Sequence, residues 1–281
     1  MNKTPHKNTK QKLVETTYIF DVEGVLTVPY AKKVDLELIN KIENLLSNGN
    51  PVILNTGRSI PWVVDKILSK FASETALDNL LCICEKGTAS IESIDDNLTI
   101  SIQKEKSFLI PEKLKKRVKE LIVKKYSSTM FFDETKLTMI TAEMNPNLPD
   151  IPNEEFIRIF NIAQKYLISD LEQILTNEKL DKFFKITPTT IATDIEHVDA
   201  GKDLGVQRAL EWLKKCGIST NNFVTFGDSL SDFAMPLWLF MHKFIVEHVH
   251  VGKETDIPRN IPYRLVVTTF KYNDGVKEYF R

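Results

Sequence analysis

Thr17-Tyr18-Ile19-Phe20-Asp21-Val22-Glu23-Gly24-Val25-Leu26-Thr27 runs from β-branched and aromatic residues into two carboxylates one residue apart, then glycine. Such a run reads as a buried strand, and Glu23-Gly24 marks where the chain leaves the sheet. Two acids at the carboxyl end of a buried strand carry a desolvation cost. A divalent cation is the most economical compensation.

Working outward, apolar positions recur with helical spacing over 34–46, and Asn48-Gly49-Asn50-Pro51 stops that helix. A second buried strand, Pro51-Val52-Ile53-Leu54-Asn55, ends in Thr56-Gly57-Arg58-Ser59. A helix is predicted over 61–71 and a third strand over 80–84, ending at Glu85-Lys86-Gly87. Strand, helix, strand, helix, strand at this spacing implies right-handed crossovers and a parallel sheet. The rhythm returns near the C-terminus: a helix opening at Lys202, a strand over 222–226 ending in Gly227-Asp228-Ser229-Leu230-Ser231-Asp232, strands over 244–249 and 265–268, and a terminal helix.

Between these parts the character changes. A half-exposed strand is predicted over 99–103, helices over 111–126 and 153–175, a strand over 137–142, and paired strands over 183–186 and 190–195. One-sided helices among alternating strands suit a layer packed on an open antiparallel sheet. The predicted architecture is α/β: a Rossmann-like parallel-sheet core from 15–89 and 197–281, with a second, smaller α/β domain inserted at 90–196. The Lys-rich residues 1–14 lack a signal-peptide core and are expected to form a disordered tail.

Composition excludes several classes. The 281 residues carry 37 basic and 38 acidic side chains, a net charge of −1, so no global field points to nucleic acid or an anionic membrane. No apolar run approaches the roughly 18 residues that would span a bilayer. Cys82 and Cys84 share one face of a predicted strand and read as buried thiols of a reducing cytosol, hence a cytoplasmic protein. The lysines over 113–125 flank an apolar stripe and read as a solvated helix face, and His248 and His250 as ordinary strand residues.

Four chemically loaded points follow strands or open a helix: Asp21 with Glu23, Thr56, Lys202, and Asp228 with Asp232. In an open parallel sheet the ligand crevice lies at the carboxyl ends of the strands, so distant points can meet in one pocket. Their types suit phosphoryl transfer, with a carboxylate nucleophile, a second acid for proton transfer, a hydroxyl and amides for phosphoryl oxygens, and a lysine with magnesium to offset charge.

Asp21-Val22-Glu23-Gly24-Val25-Leu26-Thr27 resembles the first motif, D-x-D-G-T-L-T, of the haloacid dehalogenase superfamily of phosphohydrolases. Thr56-Gly57-Arg58, Lys202 and Gly227-Asp228-Ser229-Leu230-Ser231-Asp232 resemble its remaining motifs in order, and the insertion resembles its large α/β cap, sugar-phosphatase-like branch. The resemblance implies a Mg2+-dependent phosphatase with Asp21 as nucleophile, Glu23 as acid/base, and Thr56, Gly57, Arg58 and Lys202 binding the phosphoryl group. Asp21, the Glu23 carbonyl, Asp228 and Asp232 would hold the metal. Arg58 either touches substrate or pairs with an acid. The partner implied is a small phosphorylated metabolite, a sugar phosphate or phosphorylated sugar acid, with no nucleic acid or membrane involved.

Glu23 stands where the family usually has aspartate, and the extra methylene moves the carboxyl by about one C–C bond length. Two other functions therefore stay open: a phospholigand-binding or regulatory protein without turnover, and a phosphotransferase or mutase.

Overall fold

The protein is seen in a computed structural model that describes residues 12–27, 33–72, 74–94, 100–104, 108–145 and 154–281. In chain order the strands are β1 (Lys12–Leu13), β2 (Thr16–Phe20), β3 (Val52–Asn55), β4 (Leu80–Cys84), β5 (Ala89–Ile94), β6 (Ile100–Lys104) and β7 (Met130–Phe132). They continue as β8 (Ile140–Met144), β9 (Phe184–Pro188), β10 (Ala192–His197), β11 (Ile218–Ser219), β12 (Asn222–Gly227), β13 (Ile245–His250) and β14 (Arg264–Val267). The α-helices are α1 (Leu36–Ser47), α2 (Ile60–Lys66), α3 (Glu112–Leu121), α4 (Glu154–Asn177), α5 (Lys202–Lys215), α6 (Ala234–Met241) and α7 (Tyr272–Tyr279).

The core sheet has eight strands in the order β14-β13-β12-β2-β3-β4-β5-β6. Pairing is parallel from β14 to β4 and antiparallel beyond. Alternate residues of each strand face opposite sides, so the apolar run of β2 feeds two cores. Phe20 joins Leu54 and Phe226 beneath α1, and its ring stacks on Phe226 with centroids 4.4 Å apart. Ile19 joins Ile53, Ile83 and Phe223 beneath α5 and α6. Burial on both faces explains why these strands read as continuous hydrophobic runs. Asp35 starts α1 by accepting from the Glu37 amide at 3.0 Å.

The cap is a four-stranded antiparallel sheet, β7-β8-β10-β9. Its own core packs Leu114 and Val118 of α3, and Phe160, Leu167 and Leu171 of α4, onto Ile140 and Ile195 of the strands. The lysines 113, 116, 119, 124 and 125 face solvent. Cys82 and Cys84 are buried on β4, and burial pushes the Cys82 thiol up to about 12. Among the described residues no helix is long and apolar enough to cross a membrane.

Three expectations need correction. The insertion does not begin at residue 90, because β5 and β6 extend the core sheet, and the cap's own elements run from α3 to β10. An edge hairpin carries the same sequence alternation as a cap strand, and alternation does not say which sheet a strand joins. The tail predicted to reach residue 14 ends earlier: Lys12–Leu13 pairs in parallel with β11, and Val14 is buried. Residues 1–11 lie outside the described residues. Finally, the strand predicted over 137–142 begins only at Ile140, and β7 fell within a stretch with no strand prediction.

Candidate active site

The carboxyl ends of β2, β3 and β12 and the start of α5 converge on one cavity of about 510 Å³ beneath the cap. Asp21 follows β2, held in register as its amide donates to the Phe226 carbonyl at 3.0 Å. The chain then turns tightly, with the Val22 carbonyl accepting from the amides of Leu26 and Thr27 at 2.8 and 3.2 Å. Gly24 sits in that turn at φ +72°, where a Cβ would lie 2.2 Å from Oδ2 of Asp228. The glycine lets the first carboxylate loop press against the fourth.

Lys202 is the hub. Its ammonium lies 2.5 Å from Asp21 Oδ1, 3.0 Å from Asp232 Oδ1, and donates to the Asn55 carbonyl at 2.7 Å. Asn55 returns the bond, Nδ2 donating to the Lys202 carbonyl at 2.8 Å. This exchange ties the end of β3 to the first turn of α5. Asn55 was read only as a strand end, since its role depends on a residue far along the chain.

Asp232 has no exposed surface. Its Oδ2 accepts from the Ser229 hydroxyl at 2.7 Å and from the Ser229 and Asp228 amides at 3.0 and 3.2 Å. It organises the loop from behind, whereas Asp21 and Asp228 line the cavity. Oxygen atoms of Asp21, Asp228 and Asp232 lie within 4.8 Å of one another. Burial is the main cause that pushes Asp21 up to about 7; Lys202 opposes it and Asp232 adds to it. Burial, then Asp232 and Asp21, push Asp228 up to about 8. For Asp232 burial works the same way, but Lys202 and the Ser229 donors hold it below the usual carboxylate range. The hub thus sets one ammonium against three carboxylates, two of them short of positive charge. An all-oxygen set with that deficit fits a hard divalent cation such as magnesium.

Thr56 and Gly57 line the cavity beside Asp21. Thr56 is fixed by its amide on the Ile83 carbonyl at 2.9 Å, and its hydroxyl accepts the Arg58 amide at 3.1 Å. Arg58 is buried, with its guanidinium 5.0 Å from the Trp62 ring centroid. One terminal nitrogen pairs with Glu23, and the other lies 3.0 Å from Glu143 on β8 of the cap. Burial works against its charge, and these two carboxylates more than restore it, holding it above its ordinary value. Arg58 pairs with acids and also lines the cavity.

A second core cation meets the cap nearby. Lys86 Nζ lies 2.9 Å from Asp194 and 2.5 Å from Glu196, both on β10. Glu143, Asp194 and Glu196 were missed as site residues. Their signal was present: a carboxylate inside an apolar strand such as Ile-Thr-Ala-Glu-Met needs a partner when buried. His248 and His250 are buried on β13, outside the acidic cluster.

A parallel sheet with its charged crevice at a strand switch point, roofed by an inserted α/β cap, defines the class of a capped Rossmann-like hydrolase. The family model for haloacid dehalogenase-like hydrolases matches residues 18–238, and the chain belongs to that family. Similar solved structures share the fold at low identity. The trehalose-6-phosphate phosphatase C-terminal domain of C. albicans aligns with a TM-score of 0.66 and 13% identity, over 94% of this chain and 90% of that one. A haloacid dehalogenase-like hydrolase from Bacteroides thetaiotaomicron gives 0.63 and 11%, over 95% and 98%. The Thermoplasma acidophilum protein 0175 gives 0.60 and 16%, over 96% and 97%. No curated protein sequence matches the chain.

Proposed function

We propose that this hydrolase is a cytoplasmic, magnesium-dependent phosphatase that acts on a small phosphomonoester through an aspartyl-phosphate on Asp21. The observation that carries the reading is Asp21 on the cavity wall, paired with Lys202 at 2.5 Å and grouped with Asp228 and Asp232. Asp21 attacks phosphorus, the bond to the leaving oxygen breaks, and Glu23, which enters this step protonated, hands that oxygen its proton and is left a carboxylate. Glu23 then takes a proton from water, whose oxygen attacks phosphorus and returns Asp21 as a free carboxylate. Thr56, the Gly57 amide and Lys202 hold the phosphoryl oxygens, and Arg58 supports the same wall. Asp21, the Glu23 carbonyl, Asp228 and Asp232 would hold magnesium, which would supply positive charge against those oxygens.

The roof of the cavity carries Thr141, Thr189, Thr190 and Asp194. Hydroxyls and a carboxylate of this kind suit a leaving group rich in hydroxyls, a sugar phosphate or phosphorylated sugar acid. The likeness to a trehalose-6-phosphate phosphatase supports the same class.

The test is phosphate release from p-nitrophenyl phosphate and a panel of small phosphomonoesters, with and without magnesium, beside Asp21→Asn. Release that needs both metal and Asp21 supports the reading, and release unaffected by Asp21→Asn removes it. One observation favours a second reading, a phospholigand-binding protein: the Glu23 carboxylate is taken up by Arg58. Ligand binding without turnover, with turnover appearing only in Glu23→Asp, would support that reading.

A further inference from the structure

Two core cations reach the cap, and they differ in what they hold on the core side. Lys86 meets Asp194 and Glu196, both of the cap. Arg58 instead bridges: Glu143 on β8 of the cap takes one end of its guanidinium, and Glu23 in the loop after β2 takes the other. The two ends differ in solvent access. The Arg58 and Glu143 side chains are 7% and 5% exposed, whereas Glu23 is 39% exposed. A buried arginine with a planar, fixed fork holds both carboxylates in a defined relation. The stacking of Arg58 over Trp62 further restricts where the fork can point.

We infer that Glu143 is a positioning residue for Glu23, acting through Arg58, so that the cap sets the placement of the acid/base carboxylate. The inference rests on the proposed phosphatase reading. It also gives the departure at position 23 a physical role: the extra methylene brings the carboxylate to the guanidinium. An aspartate there would fall short by about one C–C bond length. With the cap lifted away, Arg58 loses its buried partner and the Glu23 carboxylate loses a fixed fork. Proton transfer is thereby coupled to closure of the cap over the substrate.

The coupling is tested by a double-mutant cycle on turnover, Glu143→Gln and Glu23→Asp, each alone and together. A misplacement of about 1 Å costs on the order of 100-fold in rate. Glu143→Gln is accordingly expected to lower kcat by roughly 10- to 100-fold in the Glu23 protein, with KM changed much less. In the Glu23→Asp background, where the carboxylate sits farther from Arg58 by about one C–C bond length, the same change should cost markedly less, approaching the limit of about 2-fold for independent sites. Asp194→Asn weakens the Lys86 contact with the cap, which Glu196 still holds, and should cost the same factor in both backgrounds. Arg58→Lys, which keeps the charge but not the fork, should resemble Glu143→Gln and fail to rescue it.

An equal loss from Glu143→Gln in both backgrounds overturns the inference. So does a loss confined to KM, which would mark Glu143 as a substrate contact. Wild-type turnover that vanishes in Asp21→Asn, combined with an additive cycle, withdraws this inference alone. A wild-type protein without turnover withdraws it together with the phosphatase reading.

Discussion

At the residue scale the site depends on a side chain that is absent. Gly24 lies at φ +72° with its Cα facing the Asp228 carboxylate, and an added Cβ would meet Oδ2 at 2.2 Å. Alanine at this position carries a left-handed backbone cost of about 1–2 kcal/mol and forces the Asp228 carboxylate aside. Gly24→Ala is therefore expected to fold with a modestly lower melting temperature but to lose most of its magnesium affinity and turnover. Calorimetric titration with magnesium beside thermal unfolding checks this; unchanged affinity would show that the Asp228 carboxylate yields freely. Asp21, Thr56, Lys202 and Asp228 were legible in the sequence because each is a chemically loaded residue at a strand end or helix start. Asn55, Glu143 and Asp194 were not, since each gains its role from a partner on another element, as Asn55 does from Lys202 and Glu143 from Arg58.

At the scale of the element, β13 holds a group with a defined response to acid. His248 has no exposed surface, its Nδ1 lies 2.8 Å from the Thr225 hydroxyl, and its ring packs 4.7 Å from Phe233. Burial pushes the imidazole down from 6.5 to about 3, while the Asp232 charge pulls the other way and His250 adds to the fall. Between those values the unfolded chain binds a proton that the folded chain does not. The contribution of His248 to stability is therefore complete above pH 6.5 and is lost as pH falls through that window, with a slope approaching about 1.4 kcal/mol per pH unit. Denaturant unfolding of wild type and His248→Gln, measured from pH 7.5 down to 4.5, should show wild type losing the more stability in acid. Parallel curves would mean that the folded state accepts the proton. Most elements were legible in the sequence, because a strand buried on both faces and a one-sided helix leave different periods. What periodicity does not carry is the partner of a strand: β5 and β6 alternate like cap strands, but β5 pairs with β4 and β6 with β5 at the core edge.

At the scale of the whole molecule, the hydrophobic clusters of the core and that of the cap are joined through a largely polar seam. The core's clusters are built on β2 and its neighbours, and the cap's on α3 and α4. The seam centres on Glu85-Lys86-Gly87, three residues in succession with positive φ, at 50°, 55° and 93°. For the two residues with side chains this conformation costs about 1–2 kcal/mol each, and it persists where surrounding contacts over-determine it. The contacts are these: the Glu85 carboxylate, 1% exposed, accepts from the Leu137 amide at 3.0 Å, the Thr138 amide at 2.7 Å and the Thr138 hydroxyl at 2.6 Å. Lys86 donates its amide to the Thr56 carbonyl at 3.0 Å while its ammonium holds the cap at Asp194 and Glu196. One loop thus reaches the end of β3 at Thr56, the cap bend and the cap sheet at once. Glu85→Ala removes the acceptor from three donors, the two on Thr138 buried, at about 1–3 kcal/mol for each buried donor left unsatisfied, while the apolar cores on either side stay intact. Hydrogen exchange should accelerate at Leu137 and Thr138 while α5 and β12 remain protected, because the loss falls on the seam and not on either core. Turnover should fall with it, since closure of the cap over Asp21 depends on the same bend. Protection at Leu137 and Thr138 that matches wild type would show that the cap is held by its cation bridges alone, and that the left-handed loop is a consequence of closure and not its cause.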